Sequence, residues 1–167
     1  GFGRVGQTVA RVLASCGVPY IALDLDHARV ARGRADGLPL YFGDASRVDV
    51  LEAAGIERAK AAVITIDRAR EASHAVESLH QRMPGLPIFV RSHDMTHAHE
   101  LESEGAAAVV PETVEASLQI GGILLSAVGV STDEITRVMD EFRKDNYARL
   151  ESLTDASIGP APDGGKK

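Results

Sequence analysis

Gly1-Phe2-Gly3-Arg4-Val5-Gly6 opens the chain as a G-x-G-x-x-G run, and Gln7 to Cys16 follows it with Val9, Val12 and Leu13 on one helical face. In such a loop the first glycine permits a tight turn and the second lets the backbone approach a pyrophosphate. The third lets the helix pack closely on a strand, while the helix N-terminus faces the anion. Gly17 then stops the helix as a C-cap does. Asp24 lies 18 residues beyond Gly6, at the end of a buried strand read from Tyr20 to Leu23. A carboxylate there accepts hydrogen bonds from a ribose diol and repels a 2′-phosphate, and no base follows before Arg29. The pattern favours NAD(H), AMP, ADP or ATP over NADP. A glycine loop of this kind also calls for a strand before it; none stands ahead of Gly1, so the first strand is expected to be missing from the chain.

Beyond the loop, helices and strands alternate at roughly 20-residue spacing, as in βαβ units. A helix runs from His27 to about Asp36 and stops at Gly37; Leu40-Tyr41-Phe42 is a short strand. Gly43-Asp44-Ala45-Ser46 is a turn, with Ser46 placed to cap the next helix and Asp49 favourable in its first turn. Strands are expected at Ala61–Ile66, Pro87–Arg91 and Ala107–Val110, and helices at Arg70–Arg82 and Met95–Glu104. Right-handed crossovers then give an α/β, Rossmann-like, doubly wound parallel sheet. Glu112 to Val128 is a long apolar helix ended by Gly129, and Ser131-Thr132-Asp133-Glu134 is a capping box opening a charged helix to about Leu150. These two are crossover helices after the last strand. The expected division is 1–111 for the nucleotide-binding domain, 112–150 for crossover and dimerisation helices, and 151–167 for a flexible tail.

Composition narrows the function. A chain of 167 residues with 44% hydrophobic and 25% charged residues can bury a core, and 4% aromatics with sixteen glycines makes that core small-residue-rich. A net charge of −6 argues against a nucleic-acid surface, which needs clustered Lys and Arg. The single cysteine, Cys16, excludes an internal disulfide and reads as core. No apolar run reaches the roughly 20 residues of a membrane span.

Asp44 and Arg47, after the third expected strand, stand at the carboxyl edge where such folds hold ligands, as does Thr65-Ile66-Asp67. Each set reads equally well as a turn or cap. His93, His97 and His99 form H-x-x-x-H-x-H, and His93 with His97 would share a helix face; with no supporting cysteine or second cluster, no metal site is expected. Neither a G-x-S-x-G elbow nor H-E-x-x-H is present, and no tyrosine heads a Tyr-x-x-x-Lys pair, so no catalytic residue is assigned. The apolar positions of the Glu112–Val128 helix spread around more than one face, which points to contact with a partner.

Taken together, Gly1-Phe2-Gly3-Arg4-Val5-Gly6-Gln7, Asp24-Leu25-Asp26, Tyr41-Phe42-Gly43-Asp44-Ala45-Ser46-Arg47, Arg91-Ser92-His93-Asp94 and Val110-Pro111-Glu112-Thr113 are specific. Over about residues 1 to 150 the chain resembles the RCK, or Trk-type N-terminal, regulatory domain of the cation:proton antiporter-2 family, most of all the Kef and plastid potassium efflux antiporters. The resemblance implies a homodimer that gates K⁺/H⁺ exchange in a membrane domain upstream, at the cytoplasmic face of an inner membrane or the stromal side of a plastid membrane. It matches Gly1, Gly3, Arg4, Val5 and Gly6 to the phosphate loop and Asp24 to the ribose acid. Leu25, Asp26 and Arg29 fall beside the adenosine, as does the turn Gly43-Asp44-Ala45. Arg91 and Glu112 match positions near the phosphates or the dimer interface. Glutathione-gated members carry an arginine just before the Glu-Thr pair, where this chain has Pro111; Asn146 matches another glutathione contact. Half a site leaves adenine-nucleotide control as the reading. Two others stand beside it: the cofactor fragment of an NAD-dependent dehydrogenase, and a dimerisation module that binds no nucleotide.

Overall fold

A computed structural model describes residues 1–147. The order is α1 (Arg4–Ser15), β1 (Ala22–Asp24), α2 (His27–Ala35), β2 (Leu40–Phe42), α3 (Val48–Ala53), β3 (Ala62–Ile64), α4 (Ala69–Arg82), β4 (Ile88–Ser92), α5 (Met95–Ser103), β5 (Ala108–Pro111), α6 (Glu112–Ala127) and α7 (Thr132–Arg143). The fold is α/β with parallel strands, as expected. β1 pairs with β2, and β3-β4-β5 form a second sheet; among the described residues no strand pairing joins the two. Gly1 and Phe2 link their carboxyl ends. The Phe2 backbone N–H donates to Asp24 at the end of β1, and Thr65 Oγ1, just past β3, donates to the Gly1 carbonyl at 2.7 Å.

Residue alternation decides which face of β3-β4-β5 is covered. Ile64, Val90 and Val109 are in register across the three strands and all are buried. They pack with Ala72, Ala75, Val76 and Leu79 of α4 and Ala98 and Leu101 of α5. Val63, Phe89 and Val110 point to the other face and are exposed. A smaller cluster joins Phe2, Ala10 of α1, Val30 of α2 and Leu40 of β2. Close packing there depends on glycine. A Cβ on Gly33 of α2 would lie 2.7 Å from Leu40 Cδ2, so the helix can ride on the strand only without a side chain at that position.

Three local expectations need correction. Ser46 does not cap α3; its N–H and hydroxyl both donate to Asp44 Oδ1, at 2.9 and 2.7 Å, and Arg47 stands at the N-cap. Cys16 is exposed, because α1 turns Gly6 and Ala10 inward. The last helix stops at Arg143, where Lys144 takes an extended conformation before a 3-10 turn over Lys144–Tyr147. Ser131 does cap α7, accepting the Glu134 N–H.

The chain divides into a unit of residues 1–115 and a second beginning at Ala116. In the second unit Gly122 of α6 lies against Ile135 and Met139 of α7, while Ile120, Ile123, Leu124 and Val128 are exposed. The expected tail, 151–167, and the Asn146 side chain lie outside what is described.

Leu101 is fully buried and Val63 is half exposed. Leu101→Ala is therefore expected to destabilise the fold by about 3 kcal/mol and Val63→Ala by under about 1 kcal/mol. Urea midpoints check this, and equal losses would overturn the assignment of the covered face.

Candidate functional site

The glycine loop is a tight fold of backbone on backbone. A Cβ on Gly6 would lie 2.4 Å from the Gly1 carbonyl oxygen and 2.9 Å from Thr65 Oγ1, so no larger residue fits without moving main chain. A Cβ on Gly3 would meet nothing within 4 Å, which leaves the outer side of the loop open. Gln7 Nε2 donates to the Phe2 carbonyl at 3.1 Å and braces the same turn from α1. Gly3 stands at the N-cap of α1 with no side chain over the helix end. The free N–H groups and the dipole there favour an anion.

Asp24 faces this loop from the end of β1. It is almost fully buried. Oδ2 accepts the Phe2 N–H, and Oδ1 accepts the Asp26 N–H at 2.8 Å and Arg29 Nη1 at 2.7 Å. Arg29 also reaches Asp26 at 3.3 Å, and Asp26 caps α2 by accepting the Arg29 N–H. Burial alone would raise the Asp24 pKa, but the N–H groups of Asp26 and Phe2 and the Arg29 guanidinium together hold it below the ordinary carboxylate value. Leu25 is exposed beside it.

The turn after β2 contributes a second acid. Gly43 N–H donates to the Asp24 carbonyl at 3.1 Å, and a Cβ on Gly43 would come within 2.7 Å of Val50 Cγ1. Asp44 follows, its Oδ1 committed to Ser46; those two hydrogen bonds lower its pKa. Ala45 is half-buried beside it. Asp44 and Ser46 thus hold each other in the turn and do not cap α3, and Arg47 pairs with Asp49 at 2.7 Å.

A third group assembles at the ends of β3 and β4. Arg91 is 11% exposed, and its Nη2 lies 2.7 Å from Asp67 and 3.2 Å from Glu112, the first residue of α6. Arg91 Nη1 is 3.3 Å from His93 Nε2, which also lies 3.1 Å from the Asp67 carbonyl. Thr113 donates its N–H and hydroxyl to the His93 carbonyl, fixing the start of α6 against β4. His93 therefore precedes α5 and shares no helix face with His97, which is buried within α5. The H-x-x-x-H-x-H pattern does not reveal the place of His93 in this cluster. Its signal was position, since it is the first residue past a strand end. Among the described residues no three His, Cys, Asp or Glu side chains gather as metal ligands, and no helix is long and apolar enough to cross a membrane.

Gly1, Gly3, Arg4, Val5, Gly6, Asp24, Leu25, Asp26, Arg29, Gly43, Asp44 and Ala45 thus lie on or next to the carboxyl ends of β1 and β2. Arg91 and Glu112 sit by the neighbouring ends of β4 and β5. This is the edge at which parallel α/β sheets hold ligands.

Comparison with known proteins bears on the fold and the family. Residues 1–112 match the TrkA-N domain family. The chain is 43% identical over 157 residues to K(+) efflux antiporter 2, chloroplastic, of Arabidopsis thaliana, covering 94% of this chain and 13% of that protein. It is 37% identical over 153 residues to the glutathione-regulated potassium-efflux system protein KefC of Klebsiella pneumoniae, covering 92% of this chain and 25% of that one. The chain thus spans a quarter or less of these relatives' lengths. Among solved structures, the Shewanella denitrificans Kef CTD in AMP-bound form superposes with a TM-score of 0.74 at 32% identity, covering 93% of this chain and 94% of the other. The sheet is accordingly Rossmann-like.

Because the folded-state pKa of Asp24 is depressed, its stabilising contribution is present above the ordinary carboxylate pKa of about 4 and is lost as pH falls through the lower folded value. The stability gap between the wild type and Asp24→Asn is expected to be widest near pH 7 and to narrow below about pH 4. Urea titrations at a series of pH values measure it; a gap independent of pH would refute this role.

Proposed function

The chain belongs to the TrkA-N domain family, and we propose that it is the nucleotide-sensing regulatory domain of a potassium:proton efflux antiporter, a ligand-binding module and not an enzyme. The observation that carries this reading is the pairing of a buried Asp24 with the glycine loop at the carboxyl edge, in a chain 32% identical over nearly its whole length to a Kef domain with AMP bound. The ligand is an adenine nucleotide: AMP, ATP or NAD(H). Its phosphates lie over the open side of Gly3 at the α1 N-terminus. Asp24 receives the ribose hydroxyls, and Asp44 faces the adenosine with the oxygen not engaged by Ser46. Glutathione is the weaker fit, since Pro111 stands where the resemblance to glutathione-gated members would put an arginine.

The parent protein places this domain on the cytoplasmic face of an inner membrane, or the stromal side of a plastid membrane, beside a membrane domain that carries the ions. Two copies associate through residues 112–150. Support comes from α6 and the residue after it, which expose Ile120, Ile123, Leu124 and Val128 to solvent. The nucleotide acts by favouring one arrangement of the dimer, and the transporter responds only as far as the ligand's affinity differs between its two states.

Asp24→Ala removes a charged hydrogen-bond partner and is expected to weaken AMP binding roughly ten- to hundredfold in calorimetry. Unchanged affinities for AMP and NADH would reject the assignment. Mass spectrometry of small molecules released on denaturation checks the ligand class; repeated preparations releasing none would favour a module that binds no nucleotide. Paired Ile123→Asp and Leu124→Asp changes are expected to turn a dimer into a monomer in sedimentation, and a dimer that survives both would place the interface elsewhere.

A further inference from the structure

Arg91 carries more opposing charge than it needs. Its Nη2 is shared between two carboxylates, Asp67 at 2.7 Å and Glu112 at 3.2 Å, while its Nε is buried with no hydrogen-bond partner. A guanidinium offers five N–H donors in a fork suited to phosphate oxygens, and here its Nη2 is taken by the protein's own acids. With one cation against two anions, the trio repels an incoming phosphate until one acid withdraws.

The two acids differ in their freedom to do so. Glu112 begins α6, and its neighbour Thr113 is tied to the His93 carbonyl by two hydrogen bonds, at 3.3 Å from N–H and 3.0 Å from the hydroxyl. Asp67 is 79% exposed and lies in the short bend between β3 and α4, so its side chain can swing into water without disturbing a helix or strand. It is also close to the phosphate loop. Thr65, two residues earlier, bonds the Gly1 carbonyl, and the charge of Arg4 reaches Asp67.

Resting on the nucleotide reading above, we propose that Asp67 is an internal stand-in for the ligand's phosphate, occupying Arg91 in the empty site and displaced from it when an adenine nucleotide binds. Binding then frees the bend after β3, which joins the glycine loop to the Arg91–Glu112 start of α6. A movement at the phosphate would reach α6 through the Arg91–Glu112 ion pair. The Asp67 carboxyl is held below its ordinary pKa chiefly by its Arg91 hydrogen bond, so displacement returns its titration toward the ordinary range.

Calorimetry with AMP and with adenosine separates the terms, because only AMP carries the phosphate. Asp67→Asn is expected to tighten AMP binding at least about fivefold, the lower end of ordinary site coupling, and to leave adenosine within about twofold. In an Arg91→Met background the same substitution should lose that gain. An equal gain in both backgrounds means simple repulsion and overturns the displacement, as does no gain for AMP over adenosine while both ligands still bind. No binding of either ligand to wild type or variant removes the nucleotide reading and this inference with it. Should Arg91→Met fail to fold, carboxyl ¹³C titration of Asp67 in the wild-type chain replaces it. The Asp67 pKa is expected to rise with AMP and not with adenosine, and no rise with AMP overturns the proposal.

Discussion

A carboxylate removed from water must be surrounded by donors, and in this protein that demand organises the carboxyl edge. Asp24 collects the N–H of Phe2 from the glycine loop, the N–H of Asp26 from the start of α2, and the guanidinium of Arg29 from the first turn of that helix. One side chain thereby fixes a loop, a strand end and a helix N-terminus relative to one another. The Asp24 carbonyl does the same for the turn after β2 by accepting the Gly43 N–H. The same contacts orient the carboxylate in advance, which would limit the ordering cost for any ligand it receives.

Small residues let those contacts form. Gly6 and Ala10 are the inward positions of α1, Gly33 lets α2 approach Leu40, and Gly43 lies where a methyl group would strike Val50. Only 4% of the chain is aromatic, so the core relies on alanine, valine and leucine at short distance between helix and strand, as in the Ala72–Ala75–Val76 run of α4. The opposite face of β3-β4-β5, with Val63, Phe89 and Val110, remains exposed within the first unit.

Much of this was legible in the residues. The alternation of elements implies the parallel α/β class, the pattern predicts β2 at its observed bounds, and it places β1, β3, β4, β5, α1, α2, α4 and α5 to within a few residues. Asp24 fell at the end of β1 because an apolar run followed by an acid is a local pattern. What went wrong was local competition and facing. Ser46 had the right type for an N-cap, but Asp44 two residues earlier captured it. Cys16 belonged to an apolar stripe, yet α1 buries its glycine and alanine face, a choice made by how close the helix comes to Phe2, Val30 and Leu40. The final helix ended early because Lys144 leaves helical geometry after Arg143, with no glycine or proline to announce it.

The sequence by itself determined the succession of elements, the glycine loop and the acid that follows it. These depend on residue type and near-neighbour spacing, where hydrophobic periodicity, capping and backbone freedom act. Only the tertiary structure decided that Arg91, Asp67, His93 and Glu112 form one charged cluster, and that Asp24 draws partners from up to 22 residues away. Those groupings arise because parallel strands bring their carboxyl ends to one edge, so residues distant along the chain meet there. Charge, distance and burial at such an edge are properties of the meeting and are written in no single segment.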